Sequence, residues 1–134
     1  MLLSIDENDP RPIYLQLMNQ IKEQVSRGAV GPGDELPSVR DLAGTLNINL
    51  HTVRAAYTRL RQEGIIELRL GRRARIARFP AGPPTPRTGQ SIATRFREVI
   101  NDAVLSGLDQ TAIRAIVETE LAKVPGDRRQ GGTS

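Results

Sequence analysis

At Gly64 the spacing of apolar residues changes period, and this change limits the fold more than any other feature of the chain. Upstream, apolar residues recur at three- and four-residue intervals in three stretches. The first carries Tyr14, Leu17, Met18, Ile21 and Val25, the second Val39, Leu42, Ala43 and Leu46, and the third Val53, Ala56, Tyr57 and Leu60. Downstream, Ile66, Leu68 and Leu70 alternate with Glu67 and Arg69. The first spacing suits one face of a helix and the second a half-buried strand. The pattern predicts three short helices followed by a strand over 65–70. Gly71-Arg72-Arg73-Ala74 reads as a hairpin tip, with a return strand through Ile76 to about Phe79.

The punctuation agrees with this order. Pro12 suits a first helical turn, and Gly28 is placed to close the first helix in a left-handed cap. Gly31-Pro32-Gly33 is a turn, and Ser38 with Asp41 has the spacing of a capping box, with Asp where Glu is preferred. Asn47-Ile48-Asn49 interrupts the second and third helices, and Asn49 with Thr52 can cap the third. A run holding Pro80, Gly82, Pro83, Pro84, Pro86 and Gly89 reads as a stiff, extended linker. Two further amphipathic stretches follow, one with Ile92, Phe96, Val99, Ile100 and Ala103, the other starting at Asp109 with Ile113, Ile116, Val117, Leu121 and Val124. The expected organisation is a folded N-terminal domain over 1–79, a linker over 80–90, a helical unit over 91–124 and a disordered tail over 125–134.

Composition removes whole classes of function. The 134 residues include no Cys and one His, which excludes disulfide scaffolds, thiolate chemistry and multi-His metal sites. Two Tyr, two Phe and no Trp leave little for stacking platforms. No apolar run approaches the roughly 18 residues of a membrane span, and the start of the chain turns acidic at Asp6-Glu7, unlike a secretory signal. A soluble, cytoplasmic protein without membrane contact is expected. No segment sets a nucleophile on a sharp turn beside a base, and the glycine-rich pieces lack the Lys-Ser/Thr ending of a phosphate loop, so no enzyme and no cofactor is expected. Charge points elsewhere. Seventeen of the 19 basic residues are Arg, and residues 40–78 hold nine Arg against Asp41, Glu63 and Glu67. Guanidinium is permanently charged and forks onto phosphate, so a clustered Arg excess suits a polyanion.

Helix, turn, helix and a hairpin with a basic tip, in that order, describe a winged helix-turn-helix: a mostly α fold with a small β-hairpin, here followed by an α-helical hairpin. In such a domain one helix lies in the major groove while its neighbour and the wing meet the backbone. Asn49, His51, Thr52, Arg54 and Thr58 supply polar groups to the outward face of the third helix, opposite Val53, Tyr57 and Leu60. Arg54 can fork onto guanine, and Asn49 can pair with adenine or bind phosphate. Ser38 and the first amides of the second helix form an anion site. Arg59 and Arg61 lie far along the third helix and read as surface charges or distal phosphate contacts.

Three stretches carry a resemblance: Pro12-Ile13-Tyr14-Leu15-Gln16, then the run from Gly33 through Leu36-Pro37-Ser38-Val39-Arg40-Asp41-Leu42-Ala43, and Thr52-Val53-Arg54-Ala55-Ala56-Tyr57 with Glu63-Gly64-Ile65-Ile66. Over residues 10–79 the chain resembles the N-terminal domain of the GntR family of bacterial transcription regulators, and its short C-terminal part resembles the YtrA-type branch. The resemblance implies that Arg40, the start of the recognition helix and the wing tip at Gly71, Arg72 and Arg73 contact an operator. Two departures stand out. Leu50 occupies a position often Arg or Pro in relatives, which replaces a polar contact by apolar contact with a thymine methyl. The usual Gly-x-Gly-Thr-Phe-Val of the wing is Gly71-Arg72-Arg73-Ala74-Arg75-Ile76 here.

The C-terminal helix pair spans about 35 residues, below the size that buries a core unaided. A second copy packed on Phe96, Val99, Ile100, Ala103, Ile113, Ile116, Val117 and Leu121 would complete a helical bundle with two-fold symmetry. The alternative is that the hairpin packs back on its own N-terminal domain. The expected function is a homodimeric, sequence-specific repressor on an inverted-repeat operator of double-stranded DNA, autoregulatory and open to release by a small-molecule effector. A winged-helix protein-interaction module and a sequence-indifferent architectural DNA binder are the rivals.

Overall fold

The computed structural model describes residues 1–78 and 85–126, and these fall in two compact units, Met1–Phe79 and Pro80–Ser134. The first unit holds α1 (Ile13–Ser26), α2 (Val39–Leu46), α3 (Leu50–Gln62), β1 (Ile66–Glu67) and β2 (Arg75–Ile76). Its core is the set of stripes read above. Leu17 and Ile21 of α1, Val53 and Leu60 of α3, Leu36, Ile66 and Ile76 are almost wholly buried in one cluster. Three helices packed on a small sheet therefore share one apolar centre, and truncating any of these side chains leaves a void.

The antiparallel pair is short. Ile66 faces Ile76 and Glu67 faces Arg75. The expected strand over 65–70 is thus cut to two residues, and Leu68 (38%) and Leu70 (104%) are exposed rather than half-buried. β2 is also held on its other edge. Gly33 N–H donates to the Ile76 carbonyl (2.8 Å), Ile76 N–H to the Asp34 carbonyl (2.9 Å) and Leu36 N–H to the Ala74 carbonyl (2.8 Å), so the segment before α2 acts as a third strand. Beyond Glu67 the chain enters the turn at the tip, and the pairing with β2 stops there. The tip also turns earlier than expected. Arg72 N–H donates to the Arg69 carbonyl (3.1 Å), placing Gly71, with φ +73°, third in a four-residue turn that demands positive φ there.

A clamp on the N-terminal segment was not legible as such. Gln16, Gln20 and Gln24 lie one turn apart on α1. The Gln16 amide bonds both backbone groups of Asp6 and the Arg11 carbonyl, Gln20 bonds both groups of Ser4, and Gln24 donates to the Leu2 carbonyl (2.8 Å). The segment is held against α1, with Leu3 buried in the core.

The second unit holds α4 (Pro86–Leu105) and α5 (Gln110–Leu121). Here the boundary at residue 90 is corrected. Thr85 Oγ1 accepts from Thr88 N–H (3.2 Å) and Pro86 takes the first helical position, so α4 starts inside the stretch read as linker. Pro is favoured at that position because its fixed φ suits a first turn and its missing N–H is not needed there. Residues 80–84 of that linker, the end of the return strand at Phe79 and the tail from 127 lie outside the described residues. Asp109 caps α5 by accepting from Ala112 N–H (2.9 Å).

Candidate nucleic-acid interface

The two helices that would meet DNA are set by side-chain caps. Ser38 Oγ accepts from Asp41 N–H (3.0 Å) and starts α2, leaving Arg40 exposed in its first turn. Asn47 ends α2 in the left-handed region at φ +54°, a conformation that Asn tolerates better than most residues. Two residues on, Asn49 Oδ1 accepts from His51 N–H (2.7 Å) and starts α3. The cap engages the Asn49 oxygen, leaving its amide N–H groups for an acceptor such as phosphate. Tyr57 locks the pair together: its ring is buried and its hydroxyl donates to the Pro37 carbonyl (2.6 Å), directly before the Ser38 cap.

With Val53, Ala56, Tyr57 and Leu60 buried, the opposite face of α3 presents His51 and Arg54, both exposed, and the half-exposed Thr58. Leu50 and Thr52 are half-buried at its start. Arg54 Nη1 lies 3.2 Å from His51 Nδ1. Further along, Arg59 sits over the Tyr14 ring at 4.6 Å, a cation–π contact that ties α3 to α1. This contact gives Arg59 a packing role that distance along the helix did not reveal.

The hairpin carries a second basic group. Arg69, Arg72, Arg73, Arg75 and Arg78 line a recess of about 300 Å³ together with Pro32, Gly33, Ile76 and one acid, Glu67. Arg73 reaches Asp41 of α2 (3.5 Å) and Arg75 reaches Glu35 (3.1 Å). All four side chains are about half exposed, and such pairs hold little energy, so both arginines remain exchangeable toward phosphate. Among the described residues, Arg40, Arg54, Arg69, Arg72 and Arg78 have no carboxylate partner. Uncompensated guanidinia thus occur at the start of α2, on the outer face of α3 and along the hairpin. Arg69, Arg75 and Arg78 line this recess beside the expected Arg72 and Arg73; their signal in the sequence is the Arg excess over 40–78, which spacing alone does not assign to one side of the hairpin.

In the second unit, the eight apolar residues expected at an interface line one groove of about 340 Å³ between α4 and α5. Phe96 (55%), Val99 (64%), Ile116 (52%) and Leu121 (59%) are strongly exposed there. The groove has no polar lining group except Glu120.

Comparison with known proteins agrees with this geometry. The family described as bacterial regulatory proteins, gntR family, matches residues 13–76. The chain is 33% identical over 128 residues to the HTH-type transcriptional repressor YtrA of Bacillus subtilis (strain 168), covering 96% of this chain and 98% of that one. Among solved structures it is similar to a transcriptional antiterminator from Listeria monocytogenes EGD-e, with TM-score 0.82, 27% identity and coverage of 94% and 95%. It is also similar to YtrA from Sulfolobus acidocaldarius, a GntR-family transcription factor, with TM-score 0.55, 31% identity and coverage of 91% and 98%.

Proposed function

Because the chain belongs to the GntR family, as a transcription regulator with a winged helix-turn-helix DNA-binding domain, we propose that it is a homodimeric repressor acting in the cytoplasm on an inverted-repeat operator. The observation that carries this reading is the α3 face. A capped helix turns His51, Arg54 and Thr58 outward, and the free Arg40 and the wing arginines belong to the same unit. Arg54 reads a base, since a guanidinium can donate twice to guanine O6 and N7. Leu50 offers apolar contact to a thymine methyl. Arg40, Ser38, Asn49, Thr52 and the wing residues Gly71, Arg72 and Arg73 bind backbone phosphate and fix the register.

The apolar groove of the second unit supports the homodimer. A face lined by Phe96, Val99, Ile100 and Ile116 and left to water is costly, and the same face of a second copy covers it symmetrically. Two recognition helices related by a two-fold axis then sit about one DNA turn, or a multiple, apart. Repression of its own promoter and release by a small-molecule effector complete the proposal. YtrA of Bacillus subtilis carries the name of a repressor, which supports the sign of the regulation.

The test is a titration of the purified chain against a duplex from its own upstream region, at two salt concentrations, with scrambled competitor. A specific reader binds its operator roughly a thousandfold or more tighter than random duplex. Equal affinity for both duplexes would instead describe an architectural binder, and no binding at low salt would move the search to protein partners.

A further inference from the structure

We propose that His51 is a positioning residue for Arg54, and that the base preference of Arg54, for a guanine, depends on the hydrogen bond between the two side chains. The inference rests on the reading of α3 as the recognition helix and goes beyond it by assigning the two residues one shared task rather than two separate contacts.

The geometry fixes both partners. His51 is the second residue of α3, and its backbone N–H is held by Asn49 Oδ1 at 2.7 Å, so its position in the first turn is set by the cap. Arg54 lies three residues on, which brings it onto the same face. Its Nη1 is 3.2 Å from His51 Nδ1. A guanidinium can only donate, so Nδ1 is the acceptor and the imidazole proton sits on Nε2. Among the described residues Arg54 has no carboxylate to hold it.

The consequence follows from side-chain entropy. A free Arg carries rotamer freedom that must be lost before both donors meet one base. The bond to His51 restricts part of that freedom in advance. It engages Nη1 and leaves the Nε–Nη2 edge, two parallel donors whose spacing matches guanine O6 and N7. His51 therefore raises the selectivity of Arg54 without touching that base, while its Nε2–H stays available to a phosphate or a neighbouring acceptor.

The experiment is selection of bound duplexes from a random-sequence library by the full-length protein and its variants, with base preference read at every position. Arg54→Ala is expected to erase preference at one base pair in each half-site. His51→Ala is expected to weaken preference at that same pair by roughly threefold to tenfold, a part of what the whole bidentate contact gives. His51→Asn is expected to restore it, because the Asn oxygen takes the place of the ring Nδ1 as acceptor. Thermal melts of the three variants separate loss of selectivity from loss of fold. His51→Ala with undiminished preference at the Arg54 pair, or with loss confined to a different pair, would overturn the proposal, as would failure of His51→Asn to rescue. Failure of the unaltered protein to enrich any sequence would overturn the recognition-helix reading itself, an outcome distinct from these.

Discussion

Tyr57 lies on the buried stripe of α3, yet its hydroxyl bonds the carbonyl that precedes the cap of α2. Its place in the core was legible from spacing. Its partner was not, because Pro37 is 20 residues away and only the fold brings them together. Tyr57→Phe should lower stability by about 1 kcal/mol, the usual net value of one hydrogen bond, read as a lower melting temperature. Burial pushes the Tyr57 phenol above its ordinary value, with the charge of Arg73 opposing more weakly. The folded state thus favours the protonated phenol. Its contribution is complete below about pH 10, where an unfolded tyrosine begins to ionise, and is lost as pH rises further. An alkaline melting series should therefore fall less steeply in Tyr57→Phe than in the parent. At the wing, Arg72 has no carboxylate partner among the described residues, so Arg72→Ala should weaken binding to all duplexes alike and reduce the salt slope by about one phosphate contact. A change confined to one base pair would instead make Arg72 a base reader. The caps at Ser38 and Asn49 were readable from residue type and spacing. The Gln16, Gln20 and Gln24 clamp was not, because polar residues beside an apolar stripe look the same whether they face water or a backbone.

The elements most faithful to their sequence signal are α1, α2 and α3, where apolar period, caps and breakers agree. The hairpin and α4 differ for identifiable reasons. Leu68 and Leu70 alternate as a strand should, but pairing ends at Glu67 and the chain turns at Arg69–Arg72, a local geometry that periodicity does not carry. The first turn of α4 contains Pro86 and Gly89, which composition assigns to a linker, while the Thr85 cap and proline at the first position make it helical. Phe96, Val99, Ile100, Ala103, Ile113, Ile116, Val117 and Leu121 share one groove, as their stripes implied. If that groove holds a second copy, Ile116→Glu should give a monomer by sedimentation equilibrium while the N-terminal unit melts as before. Its affinity for a two-site duplex should fall about a hundredfold or more, the usual loss when linked binding becomes single. An Ile116→Glu protein that remains dimeric would place the interface elsewhere.

Across the whole molecule, charge and apolar surface are divided between the two units. Residues 40–78 carry the Arg excess, and the exposed apolar groove belongs to α4 and α5. One unit is suited to a polyanion and the other to an apolar partner, and the proposed repressor needs both at once. The most direct measurement is the mass of the complex formed on a duplex selected from random sequence, by sedimentation velocity with labelled DNA. Two chains per duplex, with two similar half-sites in inverted orientation, is the predicted result. One chain on a single half-site, or continuous loading without regard to sequence, would contradict a homodimeric operator-binding regulator.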